Sequence, residues 1–256
     1  MIEILNNFAS SGRGLGNKLF TYAFARILSD ELDLNISVPV NSFVERGNVI
    51  KSFPYGDVTS KRTIMSPSTY VSDRSVYNIG LTKTLENCRD SHVAIDGYFL
   101  KYGYIKAHKR MIKEMYSDLV SPTQKENTVL VMFRHPNVDP KFALPDEYYL
   151  EVIKKLSFDK LYLSYDTYDK HKTIVEKLKT LYNTEVIDLT VLDMMKAITE
   201  HKTLVCAQGT YAFWAAFLSN ADKIYFPITL EGPNCRTEWS VDLKVDDEAR
   251  YIHVEV

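Results

Sequence analysis

The sequence predicts an α/β protein whose parallel sheets are covered by helices on both faces. Short apolar runs rich in β-branched residues alternate with segments of helical periodicity, which is typical of βαβ units. Because ligands of such sheets bind at the carboxyl ends of the strands, we expect functional residues in the turns that follow these runs. Five runs lie in the second half of the chain, at Val129–Phe133, Leu161–Tyr165, Glu185–Leu189, Leu204–Ala207 and Lys223–Phe226.

Three segments between these runs have the apolar spacing of helices that pack on a sheet. Residues three or four positions apart share one face of a helix. The apolar faces are Tyr149, Val152, Ile153 and Leu156; Ile174, Val175, Leu178 and Leu181; and Tyr211, Trp214, Ala215 and Leu218. The second half of the chain is therefore predicted to alternate strand and helix in the Rossmann-like manner.

The first half has a less regular pattern. A strand at Ile2–Leu5 precedes a glycine-rich turn and an amphipathic helix through Phe20–Leu28, and Asn35–Val40 is the next predicted strand. Residues 41–92 are rich in Ser, Thr, Asn and Tyr and give no assignment, whereas Ile105–Tyr116 is predicted to be helical.

The polar, proline-containing segment Ser121–Thr128 is the predicted linker. It separates residues 1–120 from residues 121–256, and a chain of 256 residues can form one large domain or two small ones. We therefore expect two Rossmann-like halves facing a cleft.

Composition excludes several classes of protein. The net charge of −2 argues against a dedicated nucleic-acid binder, and no apolar run approaches the length of a transmembrane helix. The three cysteines form no C-x-x-C pair, which argues against a disulfide framework and a zinc site. We expect reduced thiols and a cytoplasmic protein, since the first residues do not have the pattern of a signal peptide.

The first candidate site is the glycine-rich turn Gly12–Lys18, between a strand and a helix. Its glycines let the backbone approach an anion, and the helix N-terminus offers N–H groups and a partial positive charge. The spacing matches neither the dinucleotide fingerprint nor the P-loop. Phosphate binding and a plain tight turn are the two interpretations.

Arg134 and His135 follow the strand Val129–Phe133, where a guanidinium fork can hold a phosphate, although Arg134 could also be an ordinary surface residue. Gln208–Tyr211 again joins a strand to a helix and offers amides and a hydroxyl to an anion; the alternative is that Thr210 simply caps the helix. Asp166 ends the run Leu161–Tyr165 and could contact a base or ribose, or begin a turn.

Five segments in order resemble the fucosyltransferase superfamily. Gly12–Ala25 (GRGLGNKLFTYAFA) resembles the GLGNQLFQYAFA opening of the α1,2-fucosyltransferases of glycosyltransferase family 11 and the GRFGNQ opening of protein O-fucosyltransferases. The other matching segments are Asp96–Glu114 (the family's DGYFQSEKYF), Val129–Asn137 (VHIRRGD), Tyr162–Asp166 (FSDD) and Asp193–Leu218 (DLxLMSxCxHxIIANSSFSWWAAWL).

Several positions depart from the family motifs. The family residues His, second Arg and Asp of the third motif are replaced by Met132, His135 and Asn137. Further replacements are Leu100, Tyr165, Gly209, Thr210 and Ala212, whereas Arg134, Asp166, Gly14, Gly16 and Asn17 are retained. In related fucosyltransferases the replaced His and an Asp of the fourth motif contact the guanine nucleotide, so the donor base is the feature that the departures affect.

The resemblance implies a GT-B-like fold and a metal-independent, inverting transfer of fucose from GDP-fucose to a glycan hydroxyl. Residues 1–120 would form the acceptor side and residues 121–256 the donor side. The donor site implied in this way comprises Gly14, Gly16, Asn17, Arg134, His135, Asp166, Gly209, Thr210 and Tyr211. Neither a metal nor a further cofactor is expected, since the sequence has no Asp-x-Asp motif to hold a divalent ion.

Arg134 is the expected stabiliser of the leaving diphosphate. Asp139 is the expected general base, with His135 as the alternative. Two other functions stay open at this point: transfer of rhamnose from a UDP- or dTDP-linked donor, and binding of a sugar or nucleotide without catalysis.

Overall fold

The computed structural model describes residues 2–4, 14–37, 44–45, 48–49, 69–88, 93–134, 143–166, 168–229 and 242–256. The chain forms two compact units. The first contains Met1–Tyr116 and Thr237–Asp242, and the second contains Ser117–Arg236 and Leu243–Val256. No helix among the described residues is long and apolar enough to cross a membrane.

The first unit is built on a parallel four-stranded sheet with the strand order β2-β1-β6-β5. These strands are β1 (Ile2–Ile4), β2 (Ile36–Ser37), β5 (Thr69–Ser72) and β6 (Val93–Asp96), and β3 (Val44–Glu45) pairs antiparallel with β4 (Asn48–Val49). The helices are α1 (Leu15–Leu32), α2 (Asp73–Cys88), α3 (Tyr102–Ile105) and α4 (Lys109–Met115).

Helix α1 forms the core of the first unit because apolar residues cover most of its surface. Phe24 stacks on Phe99 with 4.0 Å between ring centroids, and both side chains are buried. The hydroxyl of Thr21 donates to the carbonyl of Gly97 at 2.9 Å, which joins α1 to the turn after β6. The helix ends at Asp33, whose left-handed backbone lets its N–H bond to Ser29.

The second unit is built on a parallel six-stranded sheet with the strand order β12-β11-β10-β7-β8-β9. Its strands are β7 (Lys125–Phe133), β8 (Lys160–Tyr165), β9 (Thr184–Ile187), β10 (His201–Val205), β11 (Lys223–Ile228) and β12 (Tyr251–Glu255). Its helices are α5 (Asp146–Ile153), α6 (Tyr168–Leu181), α7 (Val191–Thr199) and α8 (Thr210–Leu218).

The strand order of the second sheet contains one reversal. The chain runs outward from β7 through β8 to β9, then returns to place β10 on the other side of β7. In open α/β sheets the crevice at such a reversal is where ligands bind. The turns that follow β7 and β10 are therefore the positions at which this unit should bind a ligand.

The core of the second unit holds these two turns in place. Five consecutive residues, Val129–Phe133, are buried in β7, as expected for a strand with both faces covered. Side chains of α5 and α6 pack on this strand and on β8. Eight of the nine residues of α8 are buried, among them Trp214, which is fully buried.

Arg250 fixes the C-terminal end of α8. Its guanidinium donates to the carbonyls of Ser219 at 2.6 Å and Phe217 at 3.1 Å, and its Nε donates to Glu248 at 2.7 Å. A cation is favourable at this end of a helix because of the helix dipole. Arg250 thus orients α8, whose N-terminal end lies at the strand-order reversal.

The α/β class and the predicted strands of the second half are confirmed, with shifted bounds. The linker prediction was wrong in part, because Lys125–Thr128 belongs to β7. These polar residues fit the strand because they form its partly exposed N-terminal end, where Lys125 pairs with Glu200 at 2.9 Å. Strand β9 ends at Ile187 and β10 ends at Val205, each two residues earlier than predicted.

The predicted helix Ile105–Tyr116 is broken by a 3₁₀ turn at Lys106–His108. Helices α2 and α7 and strands β5, β6 and β12 were not predicted. For α7 a signal was present at its N-cap: the Thr190 oxygen accepts from the Asp193 N–H at 3.3 Å, and its hydroxyl donates to the Asp193 carboxylate at 2.7 Å. Cys88 and Cys206 are buried free thiols, and Cys235 lies outside the described residues.

His201, at the first position of β10, is fully buried. Its Nδ1 lies 2.9 Å from the Thr128 hydroxyl, and its ring lies 4.6 Å from that of Tyr162. Burial, with the nearby Lys125 ammonium as a smaller cause, lowers the pKa of His201 to about 4. In the folded protein this imidazole is therefore neutral near pH 7.

We predict that His201 makes folding sensitive to mild acid. The unfolded chain takes up a proton near the ordinary histidine pKa and the folded chain does not, so stability is lost as the pH falls below about 6.5. Between pH 7 and pH 5 this group should lower the free energy of unfolding by about 2 kcal/mol. Urea titrations of the wild type and His201→Gln at both pH values measure it. Equal pH dependence in the two proteins would contradict the assignment.

Candidate functional site

Arg134 and Gly209 meet at the strand-order reversal of the second unit. Arg134 directly follows β7, and Gly209 precedes α8 in the turn after β10. The two strands are paired in parallel, with Val131 opposite Val205, so their carboxyl ends lie side by side. Two residues that the sequence placed in separate turns therefore belong to one site.

Gly209 accommodates the Arg134 guanidinium. A Cβ atom built on Gly209 would overlap Arg134 Nη1 and lie 3.0 Å from Cζ. The glycine also has a φ of 112° and a ψ of 171°, a conformation that side-chain-bearing residues rarely adopt. Both the backbone conformation and the space that the arginine occupies thus require glycine here.

The N-terminus of α8 adds positive potential beside this guanidinium. Gly209 is the N-cap residue, no side chain in the described part of the chain caps the helix, and its first turn contains no acidic residue. The backbone N–H groups and dipole at a helix N-terminus favour an anion. The alternative that Thr210 is the N-cap was wrong, because Thr210 is already the first helical residue.

Asp166 lies next to Arg134 at the same edge of the sheet. Strands β7 and β8 pair with Phe133 opposite Tyr165, so the residues that follow, Arg134 and Asp166, are also neighbours. Burial lowers the pKa of Arg134, and the charge of Asp166 opposes this shift. An arginine stays protonated in either case, so the site combines a half-buried cation with an exposed carboxylate.

Gln208 ties the turn after β10 to the end of β11. Its side chain is buried, and its Nε2 donates to the Thr229 hydroxyl at 2.7 Å. Its Oε1 is buried and makes no hydrogen bond to the residues that the structure describes. Gln208 therefore fixes the turn that presents Gly209, a role that the sequence motif did not assign to it.

His171 is a second residue that the sequence analysis missed. It lies in the first turns of α6, and its Nε2 is 3.5 Å from Asp166 Oδ1. Only 10% of its side chain is exposed, and its ring lies 5.4 Å from that of Phe133. The signal available in the sequence was its position five residues after Asp166, at the start of the next helix.

Gly14, Gly16 and Asn17 form the N-terminal end of α1 in the first unit. Gly14 is the N-cap residue, with an extended backbone, and neither a capping side chain nor an acidic residue occupies the first turn. Its φ of −62° suits any residue, and a Cβ there would meet no described atom within 4 Å. This helix end has the properties of an anion site, and its use in donor binding stays a prediction.

Two of the predicted residues, His135 and Asp139, lie outside the described residues, as do Gly12 and Arg13. Among the residues that the structure does describe, no three His, Cys, Asp or Glu side chains are grouped so as to hold a metal ion. In the second unit, the described groups placed to bind an anion are Arg134 and the N-terminal turn of α8.

Comparison with known proteins gives a structural likeness. No family model and no curated protein matches the sequence. The fucosyltransferase NodZ from Bradyrhizobium has a similar structure, with a TM-score of 0.50, 13% identity and coverage of 87% of this chain and 93% of NodZ. Structures of NodZ α-1,6-fucosyltransferase soaked with GDP-fucose (14% identity) and co-crystallised with GDP (13%) match with the same score and coverage.

At this identity the likeness concerns the fold. The chain has the GT-B-like α/β architecture of these fucosyltransferases. The comparison does not single out glycosyltransferase family 11.

We predict that Gly209→Ala disrupts the site and that Gly103→Ala does not. Alanine at 209 would strain the backbone and displace the Arg134 guanidinium, lowering the free energy of unfolding by about 1–3 kcal/mol and weakening pyrophosphate binding. Gly103 lies in α3 with no described atom within 4 Å of a Cβ, so it is the matched control. Urea unfolding and pyrophosphate titration test both variants. Unchanged pyrophosphate affinity in Gly209→Ala would contradict the site.

Proposed function

We propose that this protein is a glycosyltransferase that moves an L-sugar, fucose from GDP-fucose, to a hydroxyl of a glycan, with inversion and without a metal ion or other cofactor. The observation that carries the proposal is the Arg134 guanidinium packed against Gly209, at the N-terminus of α8 and at the strand-order reversal. The likeness in fold to a fucosyltransferase supports it.

Arg134 would stabilise the leaving nucleoside diphosphate. Negative charge grows on the diphosphate as the glycosidic bond breaks, and preorganised donors lower the barrier most when they face the developing charge. A guanidinium offers two parallel N–H donors to phosphate oxygens. The N-terminus of α8 adds backbone donors from Thr210 and Tyr211, so this group of residues could neutralise charge that other transferases neutralise with a divalent ion.

Asp166 would recognise the base. A carboxylate accepts two hydrogen bonds, and guanine presents two donors on one edge, its N1–H and its amino group, whereas uracil presents one. Asp166 is about one-third exposed and lies beside Arg134, within the same edge of the sheet. Met132, which stands where the family has histidine, is buried in β7 and offers a base only a weak sulfur acceptor.

Asp139 is the proposed proton acceptor for the attacking hydroxyl, with His135 as the alternative. In this proposal the first unit binds the acceptor, and Gly14, Gly16 and Asn17 contribute to the donor site. An oxocarbenium-like transition state needs less help from a general base, so Arg134 should contribute more to the rate than Asp139 or His135.

The replacement of the family histidine by Met132 favours a second candidate, transfer of rhamnose from UDP- or dTDP-rhamnose. Loss of a contact to the nucleotide base costs about 1–3 kcal/mol of binding free energy if a buried donor or acceptor stays unsatisfied. The guanine edge keeps its partner only if Asp166 contacts it, so the identity of the base decides between the two donors. A chain that binds the donor without turnover is the remaining alternative.

The donor is tested by thermal shift with GDP, UDP, dTDP and ADP, followed by release of GDP from GDP-fucose in excess EDTA. A ligand at about 100 times its Kd stabilises the folded state by about 2.7 kcal/mol. We expect GDP to raise the Tm most and GDP release to persist in EDTA. Stabilisation by UDP or dTDP alone would establish the rhamnose alternative. Binding without release would establish a non-catalytic protein, and activity restored only by manganese would contradict the metal-free reaction.

The role of Arg134 is tested in the same assays with Arg134→Ala, Arg134→Lys and Lys155→Ala, which removes an exposed cation from the same unit. Arg134→Ala should lower the rate about 100- to 1,000-fold, as loss of one preorganised donor does. Lys should restore activity only partly because it lacks the bidentate fork, and Lys155→Ala should be neutral. More than about one-tenth of the wild-type rate in Arg134→Ala would contradict the role.

A further inference from the structure

His171 and Asp166 are placed as a pair at the edge of the second sheet. The His171 Nε2 lies 3.5 Å from Asp166 Oδ1, and the histidine side chain is nine-tenths buried. This Nε2 atom makes no hydrogen bond to any group in the described part of the chain. A buried ring nitrogen that faces a carboxylate at this distance needs only a small movement to donate to it.

Of the described residues, Asp166 is the carboxylate that pairs with His171 Nε2. On the β7 side the ring contacts the aromatic ring of Phe133, which offers no hydrogen-bonding group. On α5, burial above all raises the pKa of Asp146, Glu147 raises it further, and His171 and Lys177 oppose the rise. Within the described ranges, the charged groups near this imidazole are therefore Asp166 and Asp146, with Glu147 and Lys177 also acting on Asp146.

Asp166 lies beside both Arg134 and His171, so its orientation affects the Arg134 fork. Its charge acts on the Arg134 guanidinium, and a carboxylate that closed on this guanidinium would occupy the fork needed for phosphate. A histidine N–H that donates to one oxygen of the carboxylate, away from Arg134, leaves the remaining lone pairs to accept from the nucleotide base. Hydrogen bonds from surrounding residues orient ligating side chains in the same way. His171 is in the position to supply that N–H.

We propose that His171 is a positioning residue, whose Nε2–H holds Asp166 so that the carboxylate binds the base of a nucleoside diphosphate and leaves the Arg134 fork to the phosphates. This inference rests on the proposed function, because it assigns His171 a part in donor recognition. His171 itself touches no reacting atom in this mechanism. The alternative is that His171 only fills space beside Phe133.

Two variants separate these roles. His171→Phe keeps a ring beside Phe133 and removes the donor, whereas His171→Gln places an amide N–H near the position of Nε2. We expect His171→Phe to weaken GDP binding about tenfold, the size of one lost hydrogen bond to a charged group, and His171→Gln to restore most of it. His108→Phe is the matched control, because His108 Nε2 lies 3.6 Å from Glu31 in the first unit.

The decisive measurement is a double-mutant cycle on GDP affinity by calorimetry, with the wild type, His171→Phe, Asp166→Asn and the double variant. If His171 acts through Asp166, the double variant binds GDP as Asp166→Asn does. Additive losses, or a His171→Phe that binds GDP as the wild type does, would overturn the inference while GDP binding by the wild type upheld the proposed donor. No GDP binding by the wild type would instead refute the donor and the inference together.

A urea-unfolding cycle of the same four proteins without ligand then tests the pair itself. Non-additive midpoints are expected if the histidine and carboxylate interact in the folded protein. Additive midpoints would overturn the inference whatever the GDP result. The His171→Gln variant keeps the test valid if phenylalanine impairs folding, since loss of GDP affinity in the glutamine variant would equally contradict a donated hydrogen bond.

Discussion

The contact between the Arg134 guanidinium and the Gly209 backbone is the interaction on which the candidate site depends. It places a permanent cation against the N-terminus of a buried helix, at the reversal of the strand order. A guanidinium and a helix N-terminus both carry positive potential, so they do not stabilise one another. An anion bound beside both would be stabilised by both, and the surrounding structure holds the two groups together.

Several features of the second unit provide that constraint. The parallel pairing of β7 with β10 and β8 sets Arg134 beside the turn after β10 and beside Asp166. Arg250 binds carbonyls at the far end of α8, and Gln208 ties the near turn to Thr229. Because α8 is almost fully buried, it cannot tilt away from the guanidinium without opening the core. The packing of the sheet and its helices thus keeps the charged groups of the site in position.

The sequence predicted five of the six strands of the second sheet, because its buried strands are continuous apolar runs, and it missed β12. It also identified Arg134, Asp166 and Gly209 as residues at strand ends. It could not show that Arg134 packs on Gly209, since strand order is a long-range property that local periodicity does not contain. In the polar first half, β5 and α2 were missed because they lack a clear apolar repeat. His171 was missed because one histidine early in a helix has no motif.

A crystal structure of the protein with GDP would test most directly whether Arg134 and α8 bind the diphosphate. We expect the diphosphate to lie within hydrogen-bonding distance of the Arg134 guanidinium and of the first backbone N–H groups of α8, with the base next to Asp166. A diphosphate bound elsewhere, without contact to Arg134 or to the N-terminus of α8, would contradict this expectation.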